Sequence, residues 1–446
     1  MLVFAGVGEV YAETPRWYSY EDLPTLNSQS LSQEETYEVH ITYDKTIPGT
    51  IRIKSVTRRH VAYPRKRRET SNYFLRLVDS ENQSLFQYAI TIPNRYSGIP
   101  PLTQDQKESV SEVVLDAVDW VELIPVLPDA RLLNLITQDG QLIDSYDLAG
   151  VIELTESTRA FQSSVWSDQA LSRYMRGGVQ QLLNITFIGD NYAVGQEQLF
   201  QQDVDRFIQH LFVYEPFNSR SAELIFHRIF TTSDLGCYHS PTIQRLIVCN
   251  YESVLSEITA SGAPYDEMVV LFNDSEYGGS GSPGLAVSYN GISGPQVFVH
   301  EFGHSFGRLH DEYVLYFDPT ADLGVQRNCF SGTPPAVEWN GIVAPSDYRV
   351  GCRYDHWYRS SPESIMLTLS AQYFNPVSIQ LLNEEIDYYT HFQTADFNRD
   401  GVVDIIDMLT WMNSFGSHYF SLFDINDDSW VNAIDYSDIY SQFTAG

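Results

Sequence analysis

One run of this sequence has residue types and spacing suited to chemistry: His300-Glu301-Phe302-Gly303-His304-Ser305-Phe306-Gly307-Arg308-Leu309-His310. On a helix, His300 and His304 stand one turn apart on the same face. Both imidazoles can then reach a single metal ion. The apolar stretch from Gln296 to Phe302 suits a buried helix that would hold them. Glu301 flanks the metal position and can take a proton from water. Gly307 permits a sharp chain reversal, which brings His310 back as a third ligand. A fourth position is left for water, as a catalytic zinc ion requires. Such an ion would lower the pKa of water to about 7 and polarise a scissile carbonyl. Glu301 would serve as general base toward the water and as acid toward the leaving amine. HExxH alone recurs on ordinary amphipathic helices with incidental histidines. With Gly307 and His310 also in register the pattern is far more specific. Downstream, Ser364-Ile365-Met366 offers a methionine turn beneath the metal, although Met366 taken alone reads as core.

A second chemistry lies near the end of the chain. Asp396, Asn398, Asp400, Asp404 and Asp407 place oxygen side chains at positions 1, 3, 5, 9 and 12 of a calcium loop, with Gly401 at the turn. Asp424, Asn426, Asp428, Asn432 and Asp435 repeat the spacing, with Ser429 in place of the glycine. A solvated acidic tail would not keep loop spacing twice. The aspartate at position 12, where ordinary EF-hands carry glutamate, resembles dockerin repeats. Apolar helical positions such as Ile405, Ile406, Leu409, Trp411 and Met412 follow the first loop. The resemblance implies docking on a cohesin-like partner or on the chain itself.

The elements that must position the zinc motif read as follows. From about 36 to 155 apolar residues alternate, as in Tyr37-Val39-Ile41-Tyr43, Ile51-Ile53-Val56 and Phe86-Tyr88-Ile90-Ile92. Period-two alternation with turn-rich gaps predicts a β-sandwich, and Asp139-Gly140 predicts a hairpin turn. A polar stretch at about 155–180 is expected to be helical. Leu182 to Asp190 and Met268 to Phe272 read as buried strands, with helical spacing from Gln196 to Phe212 between them, so an α/β layer is expected. Tyr277-Gly278-Gly279-Ser280-Gly281 is expected to be a loop. The fold class is thus multidomain α+β. It comprises a β-sandwich at 36–155, an α/β domain carrying the zinc motif at 180–392, which the resemblance given next makes metzincin-like, and a small all-α EF-hand pair at 393–446.

The region 180–390 resembles the IgA peptidase family of metzincin-like zinc endopeptidases. His300 to Tyr313 reads HEFGHSFGRLHDEY, Ile188 to Tyr192 resembles the family's GDGY strand end, and Asn273 with Tyr277-Gly278-Gly279 resembles its N…YGG loop. Phe200, Asp203 and Glu215-Pro216-Phe217 fit the intervening segment. Ser364-Ile365-Met366 and Phe374-Asn375-Pro376-Val377 resemble its CMM and FCPV stretch, with Ser364 and Asn375 in place of the cysteines. The resemblance implies a zinc endopeptidase. Many relatives carry a small residue at the position of His310, which makes Asp311 the rival third ligand; the metzincin spacing favours His310. Thr368 stands where some metzincins have an oxyanion-stabilising tyrosine, a role that would pass to Tyr354, Tyr358 or His356. Tyr313 reads as core.

Composition bounds the partners. The 58 acidic and 27 basic residues give a formal net charge of −31, which repels nucleic acid and anionic membranes. The basic run Arg58, Arg59, Arg65, Lys66, Arg67 and Arg68 breaks the trend, as a solvated hairpin tip or as a site for a trypsin-like processing protease. No apolar run is long enough for a transmembrane helix. Met1 to Ala12 resembles a truncated signal peptide. Cys237, Cys249, Cys329 and Cys352 form two close pairs that suggest two disulfides, among three possible connectivities. Together these imply a secreted protein. The expected activity is hydrolysis of extracellular, possibly glycosylated, proteins. The alternative is a non-catalytic secreted or surface protein that binds or assembles through its C-terminal module.

Overall fold

A computed structural model describes residues 35–47, 51–60, 72–97, 112–127, 129–151, 163–165, 182–316 and 325–391. The leader, Arg65 to Arg68 and both calcium loops lie outside the described residues.

In chain order the strands begin with β1 (Glu35–Asp44), β2 (Ile51–His60), β3 (Tyr73–Val78), β4 (Ser84–Ile90), β5 (Arg95–Ser97), β6 (Glu112–Val114), β7 (Ala117–Pro125), β8 (Leu132–Thr137) and β9 (Leu142–Asp147). Two antiparallel sheets form here, of order β2-β1-β7 and β4-β3-β8-β9. The alternation read in the sequence points Val39, Ile41, Leu75, Leu77, Trp120, Leu133 and Leu135 into one shared core. Gly140, with φ +83°, makes the turn between β8 and β9.

The second unit holds β10 (Ser163–Val165), β11 (Leu183–Asp190), α1 (Glu197–Leu211), β12 (Leu224–Ile229), β13 (Tyr238–His239), β14 (Ile247–Val248), α2 (Tyr251–Ser261), β15 (Glu267–Phe272), β16 (Gly279–Ser282), β17 (Leu285–Tyr289) and α3 (Gly294–Ser305). It continues with β18 (Val314–Tyr316), β19 (Val325–Gln326), β20 (Cys329–Phe330), β21 (Arg349–Arg359) and α4 (Pro376–His391). Strands β11, β12 and β15 are buried along their whole length, as central parallel strands covered on both faces must be. The sheet order is β10-β12-β11-β15-β17-β16-β5-β6, with β16 antiparallel to β17. Phe200, Val204, Phe207 and Ile208 of α1 pack one face together with α3 and α4. The other face is covered by α2 and by Val121 and Leu123 of β7.

Three expectations need correction. Ser163–Val165, inside the stretch expected to be helical, is a strand that pairs with β12. Gly279–Ser282, expected as loop, is strand β16. Its glycines are there for space: a Cβ on Gly281 would lie 2.6 Å from the His304 Cβ and 2.7 Å from the Glu301 carbonyl oxygen. Finally, β5 and β6 leave the N-terminal sheets and extend the sheet beside the histidine helix, with Ser97 paired to Gly281. Sheet membership therefore crosses the boundary read in the sequence. The fold as a whole is mixed α+β, and none of the described helices is long and apolar enough to cross a membrane.

His227 on β12 is 2% exposed, and its Nε2 lies 3.1 Å from Asn184 Oδ1. Burial pushes its imidazole down to about 3. The folded chain therefore keeps His227 neutral, while the unfolded chain protonates it below about pH 6.5. Stability from this residue is complete above that pH and declines as pH falls toward 3, by up to about 1.4 kcal/mol per pH unit. In chelator-treated protein, His227→Gln is expected to show a shallower loss of urea stability between pH 6.5 and 4 than the wild type.

Candidate metal centre

Helix α3 starts at Gly294 with Pro295 in its first turn, where a missing N–H costs nothing. It buries every residue from Val297 to Ser305. His300 and His304 project from one face, with ring centroids 4.8 Å apart. His300 Nδ1 lies 2.9 Å from the Ile365 carbonyl oxygen, and His304 Nδ1 lies 2.6 Å from that of Leu309. A carbonyl only accepts, so each Nδ1 carries the proton and each Nε2 presents a lone pair. The two Nε2 atoms are 3.2 Å apart. Asp311 Oδ1 stands 3.2 Å from both.

Three lone-pair donors therefore converge in a buried site. His300, His304 and Asp311 form the one such group among the described residues whose ligand atoms lie within 4.8 Å of one another. Without a cation this arrangement is repulsive between the two nitrogens. With one, nitrogen and carboxylate donors at this spacing suit a divalent metal. Burial by itself would raise the Asp311 carboxyl; positive charge beside it, on the rings of His304 and His300 or on a cation among them, holds it well below the usual range. The carboxylate is thus ionised, as a ligand must be.

His310, expected as the third ligand, is not in the group. Its Nδ1 accepts a hydrogen bond from Arg353 Nη1 at 2.7 Å. Its backbone N–H donates to Asn328 Oδ1, and Asn328 Nδ2 donates to its carbonyl. The Cys329–Cys352 disulfide joins the immediate neighbours of Asn328 and Arg353 and so ties the two restraints together. The chain reversal also differs from expectation. The left-handed residue is Arg308, with φ +52°. Gly307 is needed for space, since a Cβ there would lie 2.7 Å from Leu382 and 2.8 Å from the Gly303 carbonyl. After this turn Leu309 N–H bonds the Gly303 carbonyl, and Asp311 is the residue delivered to the histidines.

Glu301 is fully buried, and among the described residues neither carboxylate oxygen has a hydrogen-bond partner. Burial, then the charge of Asp311, push its carboxyl well above the usual range, and Arg245 acts in the opposite sense. An unpaired carboxyl buried this way is costly, a cost of the kind met at functional sites. A neighbouring cation would restore its ionised form.

Met366 lies under the helix, its Sδ 2.6 Å from where a Gly303 Cβ would stand. Ser364 Oγ donates to Glu312 Oε2 at 2.5 Å, and Asn375 Nδ2 donates to Glu312 Oε1. The two residues in place of family cysteines are therefore joined through a buried carboxylate instead of a disulfide. Glu312 also accepts from Asn328 Nδ2. Sequence reading missed Glu312; its place directly after Asp311 in the HDEY run was the available signal. Among the other family-like residues, Tyr192 Oη and Asn290 Nδ2 both donate to Asp203 Oδ2, and Asn290 Nδ2 also reaches Asn273 Oδ1. Tyr354, Tyr358 and His356 lie on β21, where Tyr354 packs on Trp357, Tyr358 on Tyr348, and His356 meets Asp355. Thr368 Oγ1 meets Ser370 Oγ. Cys237 and Cys249 form the second disulfide, which closes the β13–β14 loop.

The family described as IgA Peptidase M64 matches residues 227–328, which include α3 and the metal cluster. No curated protein matches the chain. The family match supports a peptidase that acts on protein or peptide substrates.

Replacement of His304 or Asp311 by alanine is expected to lower zinc affinity at least 100-fold. His310→Ala is expected to keep zinc binding within about tenfold. Metal titration of the purified variants against a competing chelator checks both. Gly281→Ala should also reduce affinity, because the new methyl group would press directly on the ligand His304 at its Cβ.

Proposed function

We propose that the chain is a secreted zinc metalloendopeptidase, with the ion held by His300, His304 and Asp311 and with Glu301 as general base. The convergence of three ligand atoms beside an unpaired buried carboxylate carries this reading. A binding protein with a structural metal gains nothing from a glutamate that costs stability. Bound zinc would supply Lewis acidity, polarising the scissile carbonyl and making water acidic near neutral pH.

The chain's own residues do the rest. Ile365 and Leu309 carbonyls fix the tautomer and aim of the two imidazoles, which raises their basicity as ligands. Glu301 accepts the proton of the attacking water and returns it to the leaving amine. Met366 packs under the helix, where the bare Gly303 admits it. Secretion is supported by the two disulfides, since such bonds persist in oxidising compartments.

For residues 393–446 we propose two calcium-binding loops of dockerin type, on the strength of their repeated spacing. They would dock on a cohesin-like protein or on the chain itself.

Incubation with a peptide library is expected to yield internal cleavages that stop when zinc is chelated. Glu301→Gln should retain zinc and lose activity by about 10²–10⁴-fold, the usual worth of a positioned general base. Cleavage at wild-type rate by Glu301→Gln would sink the mechanism. Addition of calcium to the full chain should raise its melting temperature, and Asp396→Ala with Asp424→Ala should abolish that rise.

A further inference from the structure

Glu301 raises a question that the metal ligands do not answer. The histidines are oriented by carbonyls, but no hydrogen bond among the described residues orients the Glu301 carboxylate. Apart from the charge of Arg245, its direction depends on packing, and the wall it packs against is β16. A Cβ on Gly279 would touch Val297 and approach Glu301 Cγ to 3.3 Å. One on Gly281 would lie 3.2 Å from Glu301 Oε2. The wall is thus bare Gly-Ser-Gly-Ser backbone seated directly on the glutamate.

Such a strand has little packing of its own to hold it, and glycine adds conformational freedom. It is held along its outer edge from two places. The Cys237–Cys249 loop bonds it through the Arg245 carbonyl, which accepts from Gly279 N–H at 3.0 Å, with Leu246 bridged to Gly279. Ser280 Oγ donates to the Ile247 carbonyl. The other partner is Ser97 of β5, paired to Gly281. Strands β5 and β6 form an antiparallel pair that is closed at its base by mutual bonds between Asn94 and Leu115. Tyr96 of β5 is 1% exposed and packs against Ile243, Leu246 and Val248 of that same loop. One side chain therefore ties both supports of β16 together, and it comes from the N-terminal part of the chain.

We propose that the β5–β6 pair is a positioning element for catalysis, with Tyr96 as its anchor: through β16 it holds the Glu301 carboxylate in its working direction. The N-terminal unit is then part of the catalytic machine and not a detachable accessory. This rests on Glu301 being the general base of a peptidase. A misplacement of about 1 Å in a catalytic group can cost 10²-fold in rate, while the histidines and Asp311 keep their own restraints. The rate should suffer while metal and substrate binding do not.

The test uses the full-length, zinc-loaded protein and a quenched-fluorescent peptide that the wild type cleaves. Tyr96→Ala is expected to lower kcat about 10–100-fold, with KM within twofold and zinc content unchanged. Tyr96→Phe keeps the packing and should restore kcat to within twofold of wild type. Ser97→Pro, which disrupts pairing to Gly281 but leaves the Tyr96 pocket intact, should act in the same direction and carries the test if Tyr96→Ala does not fold. Folded, zinc-loaded variants with wild-type kcat overturn the positioning role, as does a loss of rate that follows loss of zinc. If the wild type cleaves no peptide in the library, the peptidase reading falls, and the positioning role falls with it.

Discussion

Two neutral imidazoles and a carboxylate brought within 3.2 Å of one another are the constraint that the rest of this structure serves. Lone pairs so close repel unless a cation lies among them, so the surroundings must force the approach. They do so by burial and by hydrogen bonds to the far side of each ring. Ile365 and Leu309 hold the two Nδ1 atoms. The turn after α3 delivers Asp311, and the segment at Met366 closes the site from below.

The same demand explains the glycines around the helix. Gly279 and Gly281 let a strand approach one side, Gly303 admits Met366 on another, and Gly307 admits Leu382. A methyl group at any of these would push backbone or ligand away by a large fraction of an ångström. Interiors packed this closely transmit such shifts instead of absorbing them. The site is therefore shaped as much by absent side chains as by the reactive ones.

Beneath the turn, buried Glu312 accepts from Ser364, Asn328 and Asn375. Burial raises its carboxyl, and those hydrogen bonds oppose the rise. It thereby joins the segment under the metal, the start of α4 and the loop that restrains His310. A hydrogen-bonded carboxylate does there what a covalent cross-link would do in a relative with two cysteines.

Features that depend on near neighbours were legible in the sequence. His300 and His304 share a face because a helix repeats every 3.6 residues, and the apolar runs of β11 and β15 announce buried strands. Alternation likewise exposed the N-terminal sheets. Features decided by distant residues were not legible. His310 and Asp311 are adjacent, and either could have faced the histidines. The outcome was settled by Asn328 and Arg353, 18 and 43 residues away, which hold His310 elsewhere. Gly279 to Ser282 carries no side-chain pattern, so only its pairing with β17 and its seat on α3 make it a strand. The placement of β5 beside that strand, more than 180 residues earlier in the chain, is likewise a matter of sheet closure. Local periodicity determined which residues could do chemistry, and long-range packing decided which of them face one another, because side-chain direction at a turn or a sheet edge is set by whatever packs against it.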